Sequence, residues 1–264
     1  MLSALWAVAF NTFREAVRNK VLYSVIFFAI ALFGFSLLLG GVSLNQSQRV
    51  VRDVGLFGLS FFSDMIAIFV GVTVIFQELE RKTIYNVLSK PISRSLYLVG
   101  KFKGMALTLL VQFVIMAAAL TAVMAFNNDS FPVTYAYALW LIYVRAVLIA
   151  GLAIFFSSFS TPYVAGFMML GVWLVGSLVQ NLKAYLENDV SGAIAESAGG
   201  LAQPLGQAIV WAAPDLSLFV LTTQLTHGIF VPFAYVTQAT LYGLSYTAFF
   251  VLFGALVFQR RDFL

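Results

Sequence analysis

Six long apolar stretches dominate the hydrophobic pattern of the chain. Each is continuous and has the length of about 20 residues that a helix needs to cross a bilayer. A transmembrane β-barrel would instead alternate apolar and polar positions with a period of two. The pattern therefore predicts an all-α, polytopic membrane protein with spans at 21–44, 55–77, 104–126, 135–157, 163–182 and 234–258.

Two segments outside these spans carry patterns of their own. In residues 1–20 apolar side chains recur at helical spacing, which predicts an amphipathic elbow helix in the membrane interface, with a frayed cytoplasmic leader as the alternative. Residues 183–233 are too apolar for a plain loop, but prolines divide them into pieces too short to span. They predict outer re-entrant or interfacial helices, or alternatively an external hairpin that packs on the bundle.

Composition agrees with the membrane class. The chain of 264 residues is 61% hydrophobic and 10% charged, whereas a soluble domain is about 45–50% apolar and about 25% charged. It has no cysteine, and its single histidine, His227, lies in the predicted outer segment. Disulfide and thiolate chemistry are therefore excluded, and we expect neither a metal site nor another cofactor in this chain.

The basic residues are distributed unevenly between the two sides of the predicted bundle. With six spans both termini share a side, and that side carries eleven Lys and Arg residues against three on the other. Because cytoplasmic loops are enriched in Lys and Arg, this bias predicts that both termini are cytoplasmic.

The loop between the second and third spans combines several specific features. Pro91 divides it, because proline ends a helix. Thr83 can cap a short, partly apolar helix before the proline, and Ser93 can cap a second helix that runs into the third span. Glu78 and Glu80 lie where the dipole of the second span prefers cations, so we expect basic partners for them. An ordinary basic loop on anionic headgroups is the alternative.

These features form a spaced set that resembles a known signature. Its members are Glu80, Thr83, Leu88, Pro91, Ser93, Arg94, Gly100 and Lys101. The set resembles the E-x-x-T…L-x-x-P-x-S-R…G-K pattern of type-2 ABC exporter permeases, and is similar in particular to permeases of multicopper-enzyme and nitrous-oxide-reductase maturation. Lys82 stands where many relatives have glycine.

The resemblance implies a function and a set of partners. Residues 83–95 would form a coupling helix that docks on a cytoplasmic ATPase. The docking residues would be Glu78, Glu80, Thr83, Ile84, Tyr85, Leu88, Pro91, Arg94 and Lys101. Two permease copies and two P-loop ATPases would assemble in a bacterial inner membrane, with ATP and Mg bound by the ATPases. The chain itself has no G-x-x-x-x-G-K-[ST] motif, so we expect no enzyme activity in it.

Two ionisable residues lie deep inside predicted spans, where charge is costly and often functional. At about 1.5 Å per residue, Asp64 and Arg145 lie at a similar depth, about 13–15 Å below the outer surface. We therefore expect a buried ion pair that holds the second and fourth spans together, either within one protomer or across the dimer. The alternative is that each residue lines a wet path and contacts a polar substrate.

Other classes of function remain as alternatives. An ATP-independent secondary transporter or channel would favour repeated halves with matching broken helices, and no such repeat is visible. A membrane-embedded hydrolase would need a catalytic motif such as H-E-x-x-H or G-x-S-x-G, which is missing. Gly166, Gly171 and Gly176 in the fifth span are interpreted as ordinary small residues, because a spacing of five does not form one seam. The sequence leaves the cargo open.

Overall fold

A computed structural model describes residues 2–18, 47–80, 93–126, 131–187, 213–226 and 228–259, with single positions between 23 and 38 and between 204 and 210. Within this part of the chain all regular secondary structure is helical. The elements are α1 (Leu2–Val17), α2 (Ser47–Glu80), α3 (Arg94–Phe126), α4 (Val133–Phe159), α5 (Pro162–Glu187), a 3₁₀ helix (Leu216–Phe219), α6 (Thr222–Thr226) and α7 (Phe233–Gln259).

Five of the described helices are long and apolar enough to cross a membrane. The qualifying stretches are Gln48–Val74, Arg94–Phe126, Val133–Phe159, Pro162–Leu186 and Phe233–Gln259. They coincide with the second to sixth predicted spans, so the prediction of an all-helical, multi-pass protein is confirmed for these five. The first predicted span, 21–44, lies mostly outside the described residues.

Helix α4 lies at the centre of the bundle and contacts α2, α3, α5 and α7. Small residues allow the close approach. A Cβ added at Gly71 of α2 would lie 2.4 Å from the Cβ of Ala153, and one at Gly243 of α7 would lie 2.7 Å from a methyl carbon of Val144. Helices that pack inside lipid commonly rely on such small residues, because van der Waals packing drives their association.

Helix α1 packs along the beginning of α3. A Cβ at Gly104 would lie 2.4 Å from the carbonyl oxygen of Ala9 and 2.6 Å from the Cβ of Thr12. The side of α1 that carries Ala9 and Thr12 is buried, whereas Trp6 and Phe10 are exposed. The apolar stripe predicted for residues 1–20 therefore divides into a face that packs on α3 and a face that points outward.

Candidate functional site

Asp64 and Arg145 meet inside the bundle. Each lies in the middle third of its helix, Asp64 on α2 and Arg145 on α4. Arg145 Nη2 lies 2.8 Å from Asp64 Oδ2, and the two residues are 5% and 0% exposed. At this distance the contact is a charge-assisted hydrogen bond, and the attraction offsets part of the cost of removing both charges from water. The structure thus brings together the two charges that the sequence singled out.

Two side chains of α5 complete the group. Trp173 Nε1 donates a hydrogen bond to Asp64 Oδ2 at 2.9 Å, and Arg145 Nη2 donates one to Ser177 Oγ at 3.1 Å. Residues four apart share one face of a helix, so α5 presents both side chains to the ion pair. The sequence analysis missed Trp173 and Ser177, because neither residue type stands out in an apolar helix. We call Asp64, Arg145, Trp173 and Ser177 the buried cluster.

Ion pairing leaves part of the buried cluster unsatisfied. Asp64 Oδ1 and Arg145 Nε are buried and have no hydrogen-bond partner among the described residues. The same is true of Gln224 Oε1 on α6, again within the described part of the chain. An unpaired buried polar group costs about 1–3 kcal/mol, so mutual neutralisation does not account for the whole arrangement.

A cavity of about 570 Å³ adjoins the buried cluster, and all four of its residues line it. Phe57 and Phe61 of α2 form an aromatic part of the wall. The other lining residues are mostly uncharged and polar: Ser60, Gln180, Asn181, Ser217, Val220, Thr222, Thr223 and Gln224. The volume lies within the range of about 300–1,000 Å³ that is typical of small-molecule sites. The cavity therefore has both polar and apolar walls, is of ligand size and lies next to an intramembrane ion pair.

Another part of the wall comes from residues 213–226, which Asp215 holds in place. Asp215 Oδ2 accepts a hydrogen bond from Lys183 Nζ at 2.8 Å. Asp215 Oδ1 accepts from the backbone N–H of Ser217 at 3.1 Å and from its hydroxyl group. The backbone N–H of Asp215 donates to the hydroxyl of Tyr242 at 2.9 Å. These bonds tie the segment to α5 and α7. Within the segment, the side chains of Leu216 and Phe219 are buried.

Gly176 of α5 is the point of closest approach to this segment. A Cβ there would lie 2.7 Å from the carbonyl oxygen of Pro214. The interpretation of Gly176 as an ordinary small residue is therefore wrong, because only glycine leaves room for the Pro214 backbone. Nothing lies within 4 Å of a Cβ added at Gly171, and at Gly166 the nearest atom is 3.9 Å away. For those two glycines the interpretation is confirmed.

The predicted docking residues near the beginning of α3 divide into two groups. Thr83, Ile84, Tyr85, Leu88 and Pro91 lie outside the described residues. Glu78 and Glu80 lie in the last turns of α2, and their side chains also fall outside the description.

Arg94 and Lys101 are described and make contacts within the chain. Arg94 Nη1 donates a hydrogen bond to the carbonyl oxygen of Gln259 at 3.2 Å, at the C-terminal end of α7. Lys101 is 1% exposed, and its Nζ lies 3.7 Å from Glu15 Oε2 on α1. Both side chains therefore join helices of this chain, and Lys101 has almost no surface to offer a soluble partner.

Ser93 occupies its predicted position at the start of α3. Its hydroxyl oxygen accepts a hydrogen bond from the backbone N–H of Leu96 at 3.4 Å, and the helix begins at Arg94. This is the arrangement of an N-cap, in which a side chain satisfies one of the free N–H groups of the first turn. The predicted cap is confirmed, and it sets where the loop ends and α3 begins.

Together the fold and the buried cluster define a multi-pass helical membrane protein with a polar cavity in its bundle. Residues 6–263 match the family described as "ABC-2 family transporter protein". The match covers nearly the whole chain, so the chain belongs to the ABC-2 transporter family. Members are membrane transport components that work with an ABC ATPase, so the resemblance to ABC permeases is confirmed at family level. No curated protein matches the chain.

Proposed function

We propose that the chain is the permease subunit of an ABC exporter in a bacterial inner membrane, and that a homodimer of it works with two copies of a cytoplasmic ABC ATPase. Membership of the ABC-2 family carries the proposal. The cavity beside Asp64 and Arg145 supports it, because a permease needs a polar place for cargo within the membrane. The similarity of the loop to maturation-group permeases supports the proposal that the exporter belongs to that group.

In this proposal the ATPase docks on residues 83–95. Arg94 and Lys101 take a positioning role, since Arg94 joins α3 to α7 and Lys101 joins α3 to α1. Movement of the docked loop would then reach three helices at once. The contact of α1 with α3 at Gly104 makes that connection stiff, because no space is left for the two helices to slide.

The docking proposal is tested by reconstituting the permease with an ABC ATPase encoded beside it and measuring ATP hydrolysis. We expect the wild-type permease to change the hydrolysis rate, and L88D to abolish the change because an apolar contact would become charged. T161A, in the exposed turn between α4 and α5, is the matched control and should behave as wild type. Equal effects of L88D and wild type would contradict docking at this loop. Cargo movement without any ATPase would instead support a secondary transporter or channel.

The proposed topology places both termini and residues 81–93 in the cytoplasm. The excess of eleven basic residues over three supports this orientation. Because the chain has no cysteine, single introduced cysteines give a clean test. In intact cells a membrane-impermeant maleimide should label R49C at once and S93C only after permeabilisation, since both native side chains are exposed. The reverse pattern would overturn the orientation.

Two finer features belong to the same proposal. Helix α1 would lie in the membrane interface as an elbow, supported by the outward-facing Trp6 and Phe10. Residues 213–226 would be re-entrant, supported by Gln224 lining the same cavity as Asp64 in the middle of α2. Irregular backbone at that depth is tolerated where it is buried in protein or lines a water-filled cavity.

A second copy of the chain would cover the open side of α2 and α5. Gln180 and Asn181 of α5 line the cavity and are exposed in the single chain. Amide side chains facing hydrocarbon would be costly, whereas a partner subunit or an enclosed aqueous path satisfies them. We expect N181C to form disulfide or short-linker crosslinks between copies, with L241C on the exposed face of α7 as the control. Crosslinking of L241C alone would argue against this interface.

A further inference from the structure

We propose that the cavity beside the buried cluster binds an amphiphile whose polar head has no net charge and presents both a hydrogen-bond donor and an acceptor. This inference rests on the proposed function, because it names the class of cargo that the permease would take. Three properties of the cavity carry it: its charge, its polar groups and its apolar surroundings.

The charge of the cavity is balanced. Among the described residues that line it, only Asp64 and Arg145 are charged, and they lie in contact with each other. The neighbouring pair of Lys183 and Asp215 is balanced as well. A cationic head would compete with Arg145 for Asp64, and an anionic head would compete with Asp64 for Arg145. Either would leave one buried charge without its partner, which is expensive in a low dielectric.

The polar groups around the cavity offer both kinds of hydrogen bond. Asp64 Oδ1 and Gln224 Oε1 are acceptors and Arg145 Nε carries a donor hydrogen; all three lack partners among the residues described, but they have almost no accessible surface. The amide side chains of Gln180 and Asn181 line the cavity, are exposed, and each carries a donor and an acceptor. A head such as a hydroxy-amide can pair with both kinds of group, whereas an alkane pairs with neither and an ether only with donors.

Apolar surfaces lie on two sides of the polar lining. Phe57 and Phe61 form one of them within the cavity itself. A second cavity of about 470 Å³ shares Asn181 with the first and is otherwise lined by Val175, Leu178, Leu182 and Tyr185. Asn181 therefore borders both the cavity beside the buried cluster and a more apolar space on α5. This arrangement suits a molecule with a small polar head and an alkyl tail.

Trp173 offers a direct reporter of binding, because it lines the cavity and donates to Asp64. The experiment uses the full chain in lipid nanodiscs with the other tryptophans, Trp6, Trp140 and Trp211, replaced by phenylalanine. Four probes each have a chain of eight carbons, counted with the carbonyl carbon where there is one. N-octanoylethanolamine is neutral with donors and acceptors, octanoate is anionic, octylammonium is cationic, and octyl methyl ether has only an acceptor. Concentrations are expressed as mole fractions in the nanodisc lipid, so that differences in partitioning cancel.

We expect Trp173 emission to saturate at a concentration of N-octanoylethanolamine about tenfold lower than for the other three probes. Equal affinities, or tighter binding of a charged probe, would overturn the inference. V220F, which fills the cavity from an exposed lining position, is the control and should weaken binding of the amide by about tenfold or more. An unchanged response in V220F would show that the probe binds elsewhere and would also refute the site.

Two charge variants test whether the ion pair itself selects the head group of the probe or only stabilises the fold. D64N leaves Arg145 positive and should shift the preference to octanoate, whereas R145Q leaves Asp64 negative and should shift it to octylammonium. A folded variant that keeps the wild-type order of probes would contradict the inference. If neither variant folds, the series on the wild-type cavity still decides, because it needs no change in the cluster.

The two proposals fail separately. The binding assay contains no ATPase, so its outcome is independent of coupling. A permease that binds the amide selectively but never alters ATP hydrolysis would refute only the proposed function. A permease that couples to an ATPase but shows no preference among the four heads would refute only the inference about cargo.

Discussion

Helices α4 and α5 follow each other in the chain across a short turn and have nearly the same length, 27 and 26 residues. In α4 78% of the most apolar window is buried inside the chain, and in α5 only 22%. Both windows are apolar enough to span a membrane, but for different reasons. Helix α4 is apolar because it packs against four other helices, whereas α5 is apolar because most of its surface faces out of the chain.

The difference in burial between α4 and α5 shows where this protein can hold charged and polar side chains. Arg145, the only charge within α4, is buried and paired. The narrow inner face of α5 supplies Trp173 and Ser177 to that pair, and its outer face carries large apolar side chains such as Phe167 and Leu174. The central helix therefore holds the charge, and the peripheral helix completes its hydrogen bonds. Substitutions should have unequal effects on the two helices.

The largest expected difference concerns loss of a charge on each helix. R145Q leaves Asp64 buried without its partner, and we expect the free energy of unfolding to fall by about 3–5 kcal/mol. K183Q on α5 removes a partly exposed partner of Asp215. That carboxylate is buried but keeps two hydrogen bonds from Ser217, so we expect a smaller loss of about 1–2 kcal/mol. Unfolding by SDS titration in mixed micelles measures both.

A double variant sharpens this first test. D64N/R145Q removes both charges and should be less destabilised than R145Q alone, because no unpaired charge remains. An exchange of the two residues, D64R/R145D, should recover only part of the stability, since the N–H of Trp173 would then face a guanidinium group. If R145Q were as mild as K183Q, the ion pair would not hold α2 and α4 together.

Truncation of a leucine should separate the helices next. Leu148 of α4 is fully buried, and L148A should cost about 2–5 kcal/mol because a cavity remains in the packed centre. Leu170 of α5 is 41% exposed, and L170A should cost less than about 0.5 kcal/mol, as surface substitutions usually do. The same SDS titration applies. Similar losses in both variants would mean that a partner chain packs on α5 as tightly as this chain packs on α4.

Alanine substitutions at two glycines compare the stability of the packed and the open face of α5. G176A places a methyl group 2.7 Å from the Pro214 carbonyl oxygen and should cost about 1–3 kcal/mol, because the backbone of the cavity wall must move. G171A meets nothing within 4 Å and should be neutral or stabilising by up to about 1 kcal/mol through helix propensity. Thermal unfolding in nanodiscs ranks the two. Equal destabilisation would indicate a second chain against Gly171.

The smallest expected effect lies on the outer edge of α4. Trp140 Nε1 donates a hydrogen bond to Thr240 Oγ1 of α7 at 3.0 Å, and the side chain of Trp140 is exposed. A double-mutant cycle of W140F and T240V should give a coupling of about 0.6 kcal/mol, the usual size for such bonds between membrane helices. A coupling near that of the ion pair would mean that this edge is also buried in the assembly.

The sequence predicted the described spans well, because the requirement for an apolar run is local. Their ends were less accurate: α2 begins at Ser47, eight residues before the predicted span, since polar residues such as Arg49 continue the helix beyond the apolar run. Hydropathy marks the part of a helix that suits hydrocarbon, and hydrogen bonding sets where the helix ends. Asp64 and Arg145 were identifiable because charges are so scarce in this chain.

Other parts of the site could not be predicted from local sequence composition. Trp173, Ser177 and Gln224 are unremarkable in sequence, and their role depends on which face α5 and α6 turn toward the ion pair. Gly171 and Gly176 are the same residue type in one helix, yet only one of them touches backbone. Lys101 was predicted to contact an ATPase, whereas packing of α1 on α3 buries it.

By itself, the sequence determined the class of the protein, the position of its described spans and the two charges that lipid makes costly. Each of these three features depends on composition within a short stretch and on the free-energy cost of placing polar groups in hydrocarbon. Only the tertiary structure decided that these charges meet, that α5 completes their hydrogen bonds and that residues 213–226 close a cavity beside them. Those outcomes depend on the rotation of each helix about its axis, and that rotation is set by contacts between residues far apart in the chain.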